Sequence, residues 1–378
     1  MRPSAVWLLS ACVGAGSLAG LVSFAATSPA ASSRRLAFKP AAVSFISTGR
    51  GWVLGASACS ACAAVHATTD GGRTWTALPS PRVQLPFEHP GSGDVGDITF
   101  ADSRDGFLFG PALLVSHDGG ESWRRDALPP VRALGVGARY AFALTQRVAQ
   151  GRVRLWRARI GHDRWSRLSL PKEAAAPLGI SDSSVVQLAV EGKTVLVLRP
   201  GDMGPAPTHF GRLWASNDSG TRWLTRTIPC KRGDGGAALT TVARGHPRTW
   251  LIDCFDNMQS SQAQNTQHHL YRTVNAGTSW TRLANPTRHN DPNLLADSGA
   301  GQIFLATAGG AGDTLVGSLD NGRHWKLLRR DGGSFYGWAD LRFVTTKVGF
   351  VVGPTHYAPE HLYRTDDAGR TWRILRTN

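Results

Sequence analysis

An aspartate recurs along this chain in a short polar setting that is compatible with two kinds of chemistry. The stretch TTDGGRTW contains Asp70, and similar stretches place Asp118, Asp218, Asp320 and Asp367 at the same position. Carboxylates in loops bind calcium, and suitably placed carboxylates act as acids or bases in catalysis. An Asp that recurs once per repeat is better explained as a part of the scaffold, because it accepts hydrogen bonds from N–H groups that its own turn leaves unpaired.

The full motif is Ser or Thr, any residue, Asp or Asn, any residue, Gly, any two residues and Trp. Its six copies place the Asx residue at Asp70, Asp118, Asp218, Asn275, Asp320 and Asp367, and the tryptophan at Trp75, Trp123, Trp223, Trp280, Trp325 and Trp372. A seventh, eroded copy is IGHDRW, which ends at Trp165. The seven tryptophans are 42 to 58 residues apart, a spacing that suits the blades of a β-propeller.

The residues between the motifs define the elements that must position them. DITFADSRDGFLFG and DLRFVTTKVGFVVG each combine short alternating apolar segments with polar and Gly-containing turns, a pattern typical of β-strands. Each repeat contains four such strands, here called a to d, and the motif forms the c–d turn. The sequence therefore predicts an all-β fold, in which residues 33–378 form a single seven-bladed β-propeller of four-stranded antiparallel blades.

These motifs resemble those of the Asp-box, or bacterial neuraminidase repeat, propellers of the sialidase-like superfamily. The pattern DITF…DGFLFG…SHDGGESW is most similar to the photosystem II stability and assembly factor-like branch, and the resemblance covers about residues 41–378. It implies a scaffold role for the motif, and it implies binding of protein, as members of that branch do. The chain departs from the family pattern at Trp165, whose turn lacks the Asp and Gly positions, and at Asn275, which replaces Asp.

The same superfamily contains glycoside hydrolases, so a hydrolase is the alternative prediction. A sialidase-like site requires three arginines, an acidic residue and a Tyr–Glu pair, whereas a xyloglucanase-like site requires two carboxylates that flank a cleft. Asp94, Asp97 and Asp291 are candidate carboxylates, but no local pattern distinguishes them. The segment HYAPEH carries His356, Glu360 and His361 in a loop, and the sequence predicts no metal site and no cofactor.

Strand order predicts where a ligand would bind. The d–a and b–c loops share one face of a propeller, which we call the long-loop face, and the motif turns lie on the opposite face, the turn face. The longest insertions fall on the long-loop face, where functional residues usually lie. Four aromatic residues there are predicted contact residues for a ligand, with plugging of the channel mouth as the alternative: Phe87, Tyr336, Trp338 and Tyr357.

Residues 1–32 have the composition of an export signal, with Arg2 followed by an apolar segment and an Ala-rich cleavage region. An uncleaved membrane anchor and a lipidated cysteine are the alternatives, and each of the three places the propeller outside the cytoplasm. In such a compartment Cys59, Cys62, Cys230 and Cys254 are expected to form disulfides. Strand counting favours a Cys230–Cys254 bond, and Cys59 with Cys62 would close a small local ring. A thiol redox pair or half of a zinc site is the alternative for this CxxC, but the sequence has no second CxxC and no βαβ pattern, which favours the local disulfide.

The chain is strongly basic, with 42 Lys and Arg against 27 Asp and Glu and a formal net charge of +15. In an exported protein this charge favours an envelope protein, an acidic glycan or an anionic cell-wall polymer over nucleic acid as the partner. A solvated basic surface without a particular partner is the alternative. The sequence predicts a monomeric, exported, non-catalytic binding propeller that contacts a membrane only through an uncleaved N-terminal segment. The role of an assembly or stability factor fits this prediction.

Overall fold

A computed structural model of the chain describes residues 38–57, 59, 62–86, 94–146, 152–176, 186–201, 211–231, 237–255, 267–286, 291–308, 312–331, 337–355 and 359–377. Leu36–Asn378 form one compact unit, and the proposed export signal at residues 1–32 lies outside the described residues. The described part contains no helix with the length and apolar character that crossing a bilayer requires. Its strands form seven four-stranded antiparallel sheets, so the predicted seven-bladed β-propeller is confirmed.

The strands follow one another in chain order within each blade, and their bounds are as follows. Blades 1 to 4 contain β1 (Lys39–Phe45), β2 (Gly51–Ala56), β3 (Ala63–Thr68), β4 (Thr76–Ala77); β5 (Asp97–Phe100), β6 (Gly106–Phe109), β7 (Leu113–Ser116), β8 (Arg124–Arg125); β9 (Val131–Val136), β10 (Tyr140–Thr145), β11 (Arg154–Arg159), β12 (Ser166–Leu168); and β13 (Gln187–Glu191), β14 (Thr194–Arg199), β15 (Arg212–Ser216), β16 (Leu224–Arg226). Blades 5 to 7 contain β17 (Ala237–Val242), β18 (Trp250–Phe255), β19 (His268–Thr273), β20 (Thr281–Arg282); β21 (Asp291–Asp297), β22 (Ile303–Ala308), β23 (Asp313–Ser318), β24 (Lys326–Asp331); and β25 (Asp340–Phe343), β26 (Gly349–Thr355), β27 (Pro359–Thr365), β28 (Arg373–Leu375).

The first strand of each blade contacts the first strands of its neighbours, and these strands therefore surround the axis of the ring. The second strand of each blade is nearly continuous in buried apolar residues, because each blade is covered on both faces by its neighbours. The fourth strand is only two or three residues long in six blades and forms the outer edge. Very short outer strands limit the unpaired edge that each blade presents to other chains.

The repeated turn is closed by its own polar side chains. In blade 1 the Thr68 hydroxyl donates to Asp70 Oδ1 at 2.8 Å and accepts from the Gly72 N–H at 2.9 Å. Asp70 Oδ1 also accepts from the backbone N–H groups of Arg73 and Thr74, at 2.9 and 3.0 Å. The Thr74 hydroxyl donates to Asp70 Oδ2 at 2.6 Å, and this bond, together with the others, holds the pKa of Asp70 below its ordinary value. The Asp carboxylate thus serves its own turn and is not positioned as a metal ligand or a catalytic acid.

In the other five full copies the equivalent residue accepts the backbone N–H of the residue four positions later, and these copies are centred on Asp118, Asp218, Asn275, Asp320 and Asp367. Asn275 preserves the turn because its amide oxygen accepts the Ser279 N–H at 3.0 Å, as a carboxylate would. The eroded copy in blade 3 differs. Its Asp163 contacts blade 2, where it accepts from Arg124 and pairs with His117 Nε2 at 2.9 Å.

The tryptophan of the repeated turn belongs to an aromatic relay between blades. Trp75 packs edge-on against Phe45 of strand a in the same blade, at 6.1 Å between ring centroids. Phe45 in turn stacks on Phe350 of strand b in blade 7, at 3.7 Å. Two further relays have the same arrangement: Trp123, Phe100 and Trp52, and Trp372, Phe343 and Phe304. The repeated turn therefore connects each of these blades to the one before it.

Blades 7 and 1 close the ring through side chains and without exchanging a strand, because each consists of four consecutive strands. The Phe45–Phe350 stack is the same contact that joins neighbouring blades elsewhere in the ring. The Arg364 guanidinium adds hydrogen bonds across the junction, to Thr48 O at 2.9 Å and to Gly71 O at 2.7 Å. The ring is thus closed by an ordinary interface between blades with additional hydrogen bonds.

Replacement of Phe350 by Ala should lower the free energy of unfolding by roughly 3–5 kcal/mol, because it removes a buried ring from the junction and leaves a cavity. Calorimetry on the full chain measures this change. Ile374 of the same blade is half exposed, so Ile374→Ala is the matched control and should change stability by less than about 0.5 kcal/mol. Equal effects of the two substitutions would contradict this account of ring closure.

Gly72→Ala should destabilise the protein by roughly 2–4 kcal/mol, since an L side chain is disfavoured in the left-handed region and the site is tightly packed. Gly72 has a φ of +85°, and an added Cβ would lie 2.6 Å from Leu375 Cδ1. Ser219 has a φ of +59° and immediately precedes the equivalent glycine of blade 4. Ser219→Gly should be nearly neutral in the same denaturation experiment, because relief of strain offsets the added freedom of the unfolded chain.

Candidate binding site

The innermost strands leave backbone N–H groups without a partner in their own sheet, and side chains of the preceding blade accept several of them. Asp340 Oδ2 of blade 7 accepts the Val43 N–H at 3.0 Å, and Ser44 Oγ of blade 1 accepts the Phe100 N–H at 2.8 Å. These bonds satisfy buried polar groups and join the blades around the channel. Polar residues on strand a therefore have a structural role that must be separated from any role in ligand binding.

Two carboxylates meet at the long-loop end of the channel. Asp97 begins β5 and Asp340 begins β25, and Arg342 lies between them. Arg342 donates from NH2 to Asp97 Oδ1 at 2.7 Å and from Nε to Asp340 Oδ1 at 2.9 Å. Its NH1 donates to Thr99 Oγ1 at 2.9 Å. A single guanidinium thus connects blade 7 to blade 2 across the inner strand of blade 1.

The two carboxylates have different surroundings. Asp340 is buried, and both of its oxygens accept hydrogen bonds from backbone N–H groups as well as from Arg342. Asp97 accepts the Ile98 N–H and the Arg342 bond through the same oxygen. Burial in the channel wall raises the pKa of Asp97 to about 7, with Arg342 opposing the shift and the charge of Asp340 adding to it. Burial thus outweighs the ion pair with Arg342 in setting the pKa of Asp97.

The other candidate carboxylates do not join this cluster. Asp94 pairs with Arg125 of the outer strand β8 at 2.9 Å, and this contact lowers the pKa of Asp94. The side chains of Asp291 and Glu360, and all of His356, lie outside the described residues. Among the described residues, no group of three or more His, Cys, Asp or Glu side chains is arranged to hold a metal ion.

The predicted aromatic contact residues need one correction. Trp338 is only 1 % exposed and packs edge-on against Tyr363, so its ring is part of the core between blades 6 and 7 and does not face a ligand. An aromatic in a loop next to an inner strand can pack inward as readily as outward, and the sequence does not distinguish the two. Phe87, Tyr336 and Tyr357 lie outside the described residues and remain predicted contact residues.

A groove of about 680 Å³ lies at the outer rim between blades 4 and 5. One wall is formed by β16 and the chain that follows it, and the other by the repeated turn of blade 5, by β20 and by Tyr271. Its lining residues are Thr225, Arg226, Thr227, Ile228, Pro229, Lys231, Tyr271, Gly277, Thr278, Trp280 and Arg282. Lys231 belongs to the d–a connection, so this end of the groove opens towards the long-loop face.

The groove is cationic, since it is lined by two arginines and a lysine and by no Asp or Glu. The Nε–H of Arg226 is buried and has no hydrogen-bond partner among the described residues. Arg282 donates from NH2 to the His269 ring at 2.6 Å, which orients the guanidinium and leaves its charge unneutralised. Arg282 also lines a second groove of about 350 Å³ together with Arg272 and Arg323. Positive charge therefore extends along the rim across blade 5.

Two disulfides are present, and they are the pairings that the sequence analysis favoured. Cys230 bonds to Cys254 and so ties the chain beneath the rim groove to strand b of blade 5, within a buried apolar cluster. Cys59 bonds to Cys62 in the b–c loop of blade 1, on the long-loop face. The Cys230–Cys254 bond fixes one wall of the rim groove in the folded protein.

Sequence reasoning missed Asp340, Arg342, Arg226 and Arg282. The sequence does contain a signal for Asp340 and Arg342. DITF at residues 97–100 and DLRF at residues 340–343 are equivalent segments of the repeat, and each forms strand a of its blade. Equivalent positions lie at the same height on the channel wall, so both aspartates face the same mouth. The two rim arginines follow the motif tryptophan by two or three residues, but the sequence does not indicate which of the outer arginines are paired with acids.

Comparison with known proteins identifies similar folds. No family model and no curated protein sequence matches the chain. Among solved structures, "YCF48 bound to D1 peptide" aligns with a TM-score of 0.55 and 16% identity over 87% of this chain and 93% of that one. The propeller domain of the Trilobed protease from Pyrococcus furiosus, described as having an open velcro topology, aligns with a TM-score of 0.58 and 8% identity over 90% and 96%. An ancestral GH74 enzyme aligns with a TM-score of 0.58 and 11% identity over 89% of this chain, which spans 46% of that one. At these identities the chain is similar to binding, protease-associated and glycoside hydrolase propellers in fold alone.

Proposed function

We propose that this protein is an exported, non-catalytic propeller that binds a negatively charged segment of another protein, as an assembly or stability factor would. The observation that carries the proposal is the cationic rim groove between blades 4 and 5, which is lined by the side chains of Arg226 and Arg282 and by no acidic side chain. A guanidinium with unused donors is suited to a carboxylate, which it binds with two parallel hydrogen bonds.

The shape and lining of the groove suit a polypeptide segment. Its volume of about 680 Å³ is within the range of sites that hold small ligands or a few residues of a peptide. Ile228 and Pro229 offer apolar contact, and threonine hydroxyls and edge-strand backbone offer hydrogen bonds. Trp280 donates its indole N–H to Thr227 O at 3.1 Å and packs near Trp250, so it supports the wall and is not a free platform for a sugar ring.

Two further observations support a protein partner. The formal net charge of +15 would attract an acidic partner over a distance, and salt would weaken that attraction. A structurally similar protein, YCF48, has been solved with a bound peptide, which makes peptide binding compatible with this fold. We further propose that the long-loop face, onto which the groove opens at Lys231, extends the contact and that Phe87, Tyr336 and Tyr357 take part in it.

Glycoside hydrolysis is a second candidate because of one observation, the raised pKa of Asp97 at the channel mouth. A carboxylic acid that stays protonated near neutral pH is suited to protonate a leaving group. The mechanism also requires a second carboxylate as base or nucleophile, and the oxygens of Asp340 are occupied by backbone N–H groups and Arg342. The geometry therefore favours binding over hydrolysis.

Replacement of Arg226 or Arg282 by Ala should weaken binding of the native partner about tenfold or more, because each removes a charge-assisted hydrogen bond. A low-salt pull-down from envelope extract identifies the partner, and calorimetry or anisotropy with its acidic segment measures the affinity. Lys347→Ala is the control, since it removes one charge from an exposed turn of blade 7. An equal loss of affinity in all three variants would show a general effect of charge and would contradict a specific role for the groove. Retention of a glycan or wall polymer in place of a protein would contradict it.

The protein should become less stable as the pH rises from about 4 to about 7, in part because of Asp97. The unfolded chain releases the Asp97 proton near pH 3.8, whereas the folded chain keeps it until about pH 7, so unfolding is increasingly favoured between these values. Asp97→Asn should therefore flatten this decline in chemical denaturation at a series of pH values. Asp94→Asn is the control, because the pKa of Asp94 is lowered and its contribution is lost only at acidic pH.

The same Asp97→Asn variant separates the two candidate functions. Purified protein should release no product from sialosides or β-glucans, and the variant should bind the native partner as the unmodified protein does. Glycosidase activity that disappears in Asp97→Asn would instead establish the hydrolase.

A further inference from the structure

The two disulfides have contrasting environments. Cys230 and Cys254 are both buried, at 8% and 0% exposure, within the apolar cluster between blades 4 and 5. Cys62 is exposed and Cys59 is half-buried, in the b–c loop of blade 1. A thiolate must reach a sulfur atom to attack a disulfide. Solvent exposure therefore makes Cys59–Cys62 the more reactive of the two disulfides.

The Cys59–Cys62 bond contributes little to holding the fold together. Its cysteines are only three positions apart, and the stabilisation that a disulfide provides through chain entropy decreases as the closed loop shortens. Strands β2 and β3 are already paired up to the loop, with Ala56 opposite Ala63. The Ser57 N–H also donates to Cys62 O at 3.0 Å, so the ends of the loop are joined without the sulfur atoms.

The loop is also held where a partner could reach it. Cys62 forms an isolated antiparallel bridge with Gln84, which lies in the long d–a connection that follows blade 1. Both segments belong to the long-loop face. The disulfide therefore sits on the surface that we propose to contact a partner, and the hydrogen bond and the bridge that hold the Cys62 backbone do not involve its sulfur atom.

We propose that Cys59–Cys62 is a thiol–disulfide exchange site whose co-reactant is the dithiol of an exported protein. A thiolate of the co-reactant attacks Cys62 Sγ, the S–S bond to Cys59 breaks, and Cys59 leaves as a thiolate that takes up a proton. The second thiolate of the co-reactant then attacks the co-reactant sulfur atom that is bonded to Cys62. Cys62 leaves as a thiolate, which takes up a proton. The co-reactant dithiol is oxidised by two electrons to a disulfide, and Cys59 and Cys62 are reduced to two thiols.

The first test compares the two disulfides in the folded full-length chain. Graded dithiothreitol, followed by alkylation and peptide mass spectrometry, should label Cys59 and Cys62 at a rate on the order of tenfold or more above that of Cys230 and Cys254. The melting temperature of the partly reduced protein should stay unchanged. Opening of both disulfides together, or only after denaturation, would overturn the proposal.

The second test measures exchange itself. A synthetic peptide with two cysteines should be oxidised in stoichiometric amount by the native protein and not by Cys59→Ser/Cys62→Ser, while Cys230–Cys254 stays intact in both. The double variant should keep the melting temperature of the native protein, which separates loss of exchange from loss of folding. Among single variants, Cys59→Ser should form a mixed disulfide with glutathione disulfide faster than Cys62→Ser does. Peptide oxidation by the double variant, or equal rates for the single variants, would contradict the assigned roles.

Discussion

Contacts between neighbouring blades hold this ring together, because each blade in the described part of the chain consists of four consecutive strands. A four-stranded blade has two apolar faces and buries them only against other blades. In blades 1, 2 and 7 the aromatic residue at the end of strand a stacks on strand b of the preceding blade, and the tryptophan of the repeated turn packs against its edge. The Phe45–Phe350 stack repeats this contact between blades 7 and 1, so the ring closes with the interaction that builds it.

Hydrogen bonds at the channel also join neighbouring blades. The inner strands have N–H groups that no further strand can accept, and side chains such as Asp340 and Ser44 accept them. Arg342 also links blade 7 to blade 2, next to the junction between blades 7 and 1. The carboxylates at the channel mouth therefore have a structural role, because they accept hydrogen bonds that join the blades. The raised pKa of Asp97 is the property of this cluster that catalysis would use.

The partner binding that we propose uses surfaces that the ring does not need for its own stability. The rim groove between blades 4 and 5 is such a surface, since Arg226 and Arg282 contribute charge without an acidic partner in the groove. The disulfide in the b–c loop of blade 1 is another, because the strands that flank it are paired without it. Both features lie at or open towards the long-loop face, which is consistent with one face that meets a partner and an opposite face that closes the turns.

The sequence alone determined the blade count, the four strands per blade and the role of the repeated turn, because these follow from local patterns. A turn closed by its own Asp and Gly, and strands with alternating apolar residues, depend on contacts between residues close together in the chain. The pairing of Cys230 with Cys254 could be predicted for a similar reason, since strand order brings the two positions to the same end of adjacent blades.

The tertiary structure decided the rest. Asp97 and Arg342 are 245 positions apart and meet only because the ring closes. Trp338 packs inward because a core between blades 6 and 7 is there to receive it. Whether an arginine on an outer strand is paired or free depends on the neighbouring blade, and the sequence of its own blade does not contain that information.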